Sequence, residues 1–123
     1  LTFRIEVPAH PASIGFVRRA VLALHEMSGS VSAELLALVF TELVTNAIRH
    51  ASLSEDAHIE VCLRIEEGLF RGSVKDDGIG FELSAEGPRP SAEGGFGLVI
   101  VERIAKSWGI ELRPQGTEVW FEL

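Results

Sequence analysis

Glu42-Leu-Val-Thr-Asn46-Ala-Ile-Arg-His50 sets an acid, a carboxamide and an imidazole at intervals of four, which on a helix brings them to one face. A carboxamide oxygen suits Mg2+, which takes few protein ligands and fills its shell with water and phosphate oxygens. An acid one turn earlier stands where it can take a proton from a hydroxyl or water attacking a terminal phosphate. Glu42 is thus the candidate catalytic base and Asn46 the candidate metal ligand. Taken alone, the same spacing also fits a solvated helix edge.

Val74-Lys75-Asp76-Asp77-Gly78-Ile79-Gly80-Phe81 is a strand that runs into a turn. Counting back by twos, Asp76 shares a side with Val74, Gly72 and Phe70, the side expected to face the core, while Asp77 points the other way. An inward carboxylate needs a hydrogen-bond donor, and the exocyclic amine of adenine is one. Asp76 is therefore the candidate reader of adenine. Gly78 and Gly80 permit a close backbone approach there, although Asp with Gly is also ordinary turn chemistry. A third constellation, Gly94-Gly95-Phe96-Gly97-Leu98, opens a helix. Glycines at such a start leave backbone N–H groups free for phosphate oxygens, and a flexible hinge fits the same residues. Thr117, after Gly116, falls on the core side of the last strand, where its hydroxyl can serve Asp76 or a bridging water, or be a plain buried threonine.

The elements that position these residues follow from periodicity. Phe3, Ile5 and Val7 alternate as a half-buried strand that Pro8 and Pro11 end. Ile14, Val17, Val21 and Leu24 predict a helix that stops at Ser28-Gly29. Ser32 caps a second helix running to about Ala51, whose buried stripe is Leu35, Leu36, Val39, Leu43 and Ala47. Ile59, Val61, Leu63 and Ile65 predict a strand that turns through Glu66-Glu67-Gly68 into the strand ending at Asp76. The stretch 82–95, rich in Glu, Pro, Ser and Gly, reads as a mobile lid. A third helix carries Leu98, Val101, Ile104 and Ala105, and after Trp108-Gly109 two last strands are joined through Pro114-Gln115-Gly116. Every strand is apolar on one side only. The expected fold is α+β, a two-layer sandwich with one mixed, mostly antiparallel sheet of about five strands and three helices on one face. On the outer face Trp120 and Leu69 are expected to be exposed, as a docking surface or dimer contact.

With 123 residues, 46% of them apolar, the chain has material for one core and is read as one domain over 1–123. A net charge of −7 argues against nucleic acid but leaves a Mg-bound nucleotide acceptable. Cys62 is the single cysteine, so no internal disulfide forms, in keeping with a reducing, cytoplasmic setting. No apolar run approaches the length of a membrane span, and no targeting segment stands at the start. The first residue is Leu1 rather than methionine, which leaves open both a whole protein and a trimmed piece of something longer.

Taken in order, Glu42-x-x-x-Asn46, Asp76-x-Gly78-x-Gly80, Gly95-x-Gly97 and Gly116-Thr117 resemble the GHKL, or Bergerat-fold, ATPases that include gyrase, histidine kinases and anti-sigma kinases. The resemblance covers nearly the whole chain. It implies ATP with Mg2+, Asn46 on the metal, Asp76 on adenine, the glycines on the phosphates, and Arg49 and His50 close to the phosphates. The short lid, the two helices before the first glycine motif and the ending Trp108-Gly109 with Gly116-Thr117-Glu-Val-Trp-Phe look like the anti-sigma-factor serine kinases of bacteria. That group implies transfer of the terminal phosphate of ATP to a serine of an antagonist (anti-anti-sigma) protein, ADP as product, a sigma factor as second partner, and Glu42 as the base. Two departures bear on transfer rather than binding: Phe96 stands where many relatives carry arginine, and the lid offers Arg89 as its one cation.

Two further readings stay open. A histidine-kinase catalytic domain shares the motifs, but His25-Glu26 lacks the following proline and the long dimerisation hairpin expected of a phosphoacceptor. His10 and His58 read as surface residues. A non-enzymatic interaction module would use nucleotide only to set its conformation.

Overall fold

The computed structural model describes residues 1–25, 32–50, 57–77, 97–114 and 116–123. Alternating apolar residues form five strands, β1 (Thr2–Pro8), β2 (His58–Glu66), β3 (Leu69–Asp76), β4 (Ser107–Arg113) and β5 (Gly116–Glu122). They pair in the spatial order β1-β2-β3-β5-β4, each neighbour antiparallel. Three helices, α1 (Ala12–His25), α2 (Ala33–His50) and α3 (Gly97–Ile104), complete an α+β sandwich. Helix α2 packs against α1, α3 and strands β2 and β3. No helix among the described residues is long and apolar enough to cross a membrane.

Local signals set the element limits. The Ser32 Oγ accepts from the Leu35 N–H at 3.4 Å and so caps α2 as its position predicts. His10 does comparable work for α1, its Nδ1 accepting from the Ala12 N–H at 3.1 Å. Between β2 and β3 the two-residue loop has positive φ at both positions, 48° at Glu67 and 80° at Gly68. That is the requirement of a type I′ hairpin, whose twist matches the flanking strands.

The core lies between the sheet and α2. Phe40 and Phe121 meet edge to face, with centroids 5.2 Å apart and planes at 72°, and Gly72 leaves room for both rings. A Cβ on Gly72 would stand 2.5 Å from Phe121 and 2.6 Å from Phe40. The buried line of α2 runs through Leu36, Val39, Phe40, Leu43, Val44 and Ala47. Leu35, expected in that stripe, is 41% exposed. It sits about 100° around the helix from Leu36, off the side that meets the sheet.

Two other expectations change. Trp108 and Gly109 lie inside β4, which begins at Ser107, rather than ahead of it. The glycine is not a break. It seats the Trp120 indole, since a Cβ there would come within 2.8 Å of its Nε1. Trp120 is in turn half-buried, not exposed, because the Arg71 guanidinium lies over its ring at 4.8 Å; Leu69 is half-buried too.

Candidate nucleotide site

Four polar residues are buried among the described ones: Ser13, Asn46, Asp76 and Thr117. Ser13 belongs to another part of the molecule, where its Oγ donates to the Pro8 carbonyl at 2.7 Å. The other three were singled out by sequence, and the fold puts each on the inner side of the sandwich. Burial of polar groups costs free energy unless something satisfies them.

Strand parity delivers Asp76. It ends β3 on the side of Phe70, Gly72 and Val74 and is 5% exposed, whereas Asp77 is exposed. Across the sheet Asp76 is registered with Thr117, which is 2% exposed, so carboxylate and hydroxyl face the same interior space. Gly116 makes that register possible. Its φ is 151°, and a Cβ would fall 1.8 Å from the Asp76 carbonyl oxygen. No side chain fits there; the start of β5 lies against the end of β3 only because this residue has none. Sequence reasoning kept Gly116 as a motif partner of Thr117 and missed it as a positioning residue. The Gly-Thr pair was the available signal.

Helix α2 supplies the second wall. Asn46 is 6% exposed, and among the described residues none hydrogen-bonds its carboxamide. Glu42, one turn earlier on the same helix, is half-buried. Of the expected polar row Glu42, Asn46 and His50, Asn46 is thus drawn inward, while Arg49, outside that row, is exposed. His50 ends α2, and its side chain lies outside the described atoms. Because α2 packs on both β3 and α3, the element carrying Asn46, the strand ending at Asp76 and the helix opening at Gly97 share one set of contacts. Gly97 is the first residue of α3 and Leu98 is buried at 7%. Gly78, Gly80, Gly95, Phe96 and the lid expected over 82–95 lie outside the described residues.

The donor set suits a nucleotide. An inward carboxylate and hydroxyl pair can accept from and donate to a purine edge, and a buried carboxamide oxygen without a described protein partner can be taken up by a hydrated cation or by a phosphate-bound water. Helix α3 begins at Gly97, and the first N–H groups of a helix have no partner within the helix itself.

Comparison with known proteins agrees. A serine-protein kinase RsbW from Bacillus pumilus is 24% identical over 116 residues, covering 81% of this chain and 72% of that protein. An uncharacterized sensor-like histidine kinase from Chloroflexus aurantiacus is 34% identical over 84 residues, covering 63% of this chain but 14% of its own length. Among solved structures, the RsbU and RsbW domains of a Mycobacterium tuberculosis protein superpose with a TM-score of 0.74 at 19% identity, covering 99% of this chain and 32% of that one. The histidine kinase domain of a blue-light activated kinase from Erythrobacter litoralis gives a TM-score of 0.59 at 21% identity, over 95% of this chain and 61% of that one. The structural likenesses speak for the fold. The family model for the histidine kinase-like ATPase domain matches residues 7–123, and the chain belongs to that family, the ATP-binding GHKL or Bergerat-fold group.

Proposed function

We propose that this domain binds Mg-ATP and transfers the terminal phosphate to a serine or threonine of a small regulatory protein, as an anti-sigma-factor kinase does. The observation that carries the nucleotide reading is the buried, registered pair Asp76 and Thr117, together with the buried Asn46, whose carboxamide has no hydrogen-bond partner among the described residues. The likeness to a protein named as a serine-protein kinase supports the choice of acceptor. In this reading Asp76 accepts from the adenine amine and Thr117 assists through its hydroxyl or a water. Gly78, Gly80, Gly95, Phe96, Gly97 and Leu98 line the phosphate side, with Arg49 and His50 near it. Asn46 holds Mg2+, which when bound offsets the charge of the phosphate oxygens.

The transfer balances simply. The substrate hydroxyl gives its proton to the Glu42 carboxylate as its oxygen bonds to the terminal phosphorus, and the bond from that phosphorus to the bridging oxygen breaks, leaving ADP. Half-burial of Glu42 on the helix turn before Asn46 supports this role, since it keeps the carboxylate beside the site yet open to a protein substrate. The acceptor is an antagonist (anti-anti-sigma) protein, phosphorylation of which switches the domain's hold on a sigma factor, in the cytoplasm.

A second reading has its own support in the 34% identity to a sensor-like histidine kinase. Incubation with labelled ATP, Mg2+ and candidate serine-bearing antagonists separates the two. Label on the partner's serine is the expected result. Label on a histidine moves the chain to the second class, and stable partner binding with no label makes it an interaction module.

A further inference from the structure

The face of the sheet turned away from α2 is polar, and strand register draws three arginines to one end of it. Thr2 of β1, Arg64 of β2, Arg71 of β3 and Glu122 of β5 stand abreast in one row, and Arg4, Cys62, Ser73 and Trp120 stand in the next. Arg64 is therefore directly opposite Arg71, and Arg4 is the diagonal neighbour of Arg64. Like charges in those positions repel.

The protein compensates them only weakly. Each arginine has a glutamate near it: Arg4 approaches Glu60 and Arg64 approaches Glu66 at 3.6 Å, and Arg71 reaches Glu122 at 3.3 Å. At 3.6 Å the first two contacts are not hydrogen bonds. The guanidinium N–H groups of Arg4 and Arg64, five donors apiece, thus have no protein acceptor among the described residues. The three arginine side chains are 64, 57 and 50% exposed, and ion pairs of that kind contribute about 0–1 kcal/mol each. Between them opens a cavity of about 220 Å3, lined by Thr2, Arg4, Arg64, Arg71, Ser73 and Trp120, with Cys62 also in its wall. Its one acid, Glu118, is drawn toward Arg113 on β4 at 3.8 Å.

We propose that this cavity binds a phosphate dianion, free or as the end group of a small monoester. Charge selects this ligand. Carboxylates already stand beside the arginines without closing on them, so a second singly charged group gains little by replacing them. A phosphate brings a charge of about −1.5 to −2 and three strong acceptor oxygens, which arginine forks match in geometry. It relieves the repulsion between Arg64 and Arg71, takes up the idle donors of Arg4 and Arg64, and can accept from the Thr2 and Ser73 hydroxyls. Arg71 is already held over the Trp120 ring at 4.8 Å, so fixing it on a ligand costs less entropy. The indole beside it gives the organic part of a monoester a flat apolar wall. Size excludes larger ligands, since drug-sized molecules occupy pockets of roughly 300–1,000 Å3. No residue of the nucleotide site takes part, so this inference stands apart from the proposed kinase activity.

Cys62 reports on the cavity it lines. The whole chain is alkylated with iodoacetamide, a neutral reagent that reads access rather than charge, at constant ionic strength with inorganic phosphate, phenyl phosphate or acetate added. Both phosphates should slow the alkylation of Cys62 saturably, and acetate at the same concentration should not. Arg64→Ala and Arg71→Ala should each raise the half-protecting concentration about tenfold, as loss of a hydrogen bond to a charged group does. Arg19→Ala, which removes an exposed charge on α1, should leave it unchanged. Without phosphate the Arg64→Ala chain should melt no lower than the parent, which separates loss of the ligand from loss of the fold. Stronger protection by phenyl phosphate assigns the cavity to a monoester, and equal protection assigns it to the free ion. No saturable protection by either phosphate, acetate protecting as well as phosphate, or protection untouched in both arginine variants would overturn the proposal.

Discussion

Asp76 and Asp77 are adjacent and chemically alike, and the pleat of β3 makes them opposites: one is 5% exposed on the inner side and the other faces solvent. If Asp76 accepts from adenine, Asp76→Asn replaces one acceptor oxygen by a donor and removes a charge-assisted bond. ATP affinity should then fall roughly tenfold to a hundredfold, the range for hydrogen bonds to charged groups. Asp77→Asn should leave affinity nearly unchanged, and calorimetric titration of both variants makes the comparison. Glu42 separates binding from chemistry in the same way. Glu42→Ala should retain the parent's ATP affinity while transfer to the partner slows about 10^2- to 10^4-fold, the usual contribution of a positioned base. Transfer at the parent rate would sink the assignment of the base.

At the scale of elements, two turns at opposite ends of the central strands make contrasting demands. Gly116 has φ 151° and its missing Cβ is the space occupied by the Asp76 carbonyl. Gly116→Ala should therefore destabilise the domain by about 1–3 kcal/mol, as overpacking does, and should weaken ATP binding by displacing the Asp76–Thr117 register. Glu67, at the far hairpin, holds a positive φ without being glycine. Glu67→Asn should stabilise the fold by about 0.5–1 kcal/mol, because asparagine accepts that conformation more readily, with no effect on ATP affinity. Thermal melts and titrations on the two variants check both. The same elements show what was legible in the sequence. The two-residue period sent Asp76 inward, the helix cap at Ser32 and the turn at Gly68 were local signals, and the order of strands and helices fixed the fold class. The clash that makes Gly116 obligatory arises between β5 and β3, 40 residues apart in sequence, and no local pattern carries it. Gly109 was misread for the same reason: the Trp120 that needs its space lies on the neighbouring strand. Leu35 and Leu36 look alike in a stripe, and only the direction from which the sheet meets α2 distinguishes them.

For the whole molecule, core and site are one structure. Helix α2 carries Leu36, Val39, Phe40, Leu43, Val44 and Ala47 into the core and Asn46 into the candidate site, and β3 and β5 likewise bury Phe70, Val74, Val119 and Phe121 beside Asp76 and Thr117. Unfolding the core dismantles the site, so a nucleotide that binds only the folded chain must stabilise all of it. At a hundred times its dissociation constant, ATP should add about 2.7 kcal/mol, a rise in Tm of roughly 10 °C for a domain of this size. The chain carries a net charge of −7, and ATP without metal is itself strongly anionic, so the two repel. If Asn46 holds Mg2+ between protein and phosphates, chelating the metal should remove most of the Tm rise. Asn46→Ala should lose the difference between ATP with and without Mg2+ while keeping the smaller, metal-independent rise that adenine contacts supply. Scanning calorimetry of parent and variant, with ATP alone and with Mg-ATP, distinguishes the two contributions. An Asn46→Ala chain that gained as much from Mg2+ as the parent would take the metal away from this residue and leave the buried carboxamide to some other ligand of the site.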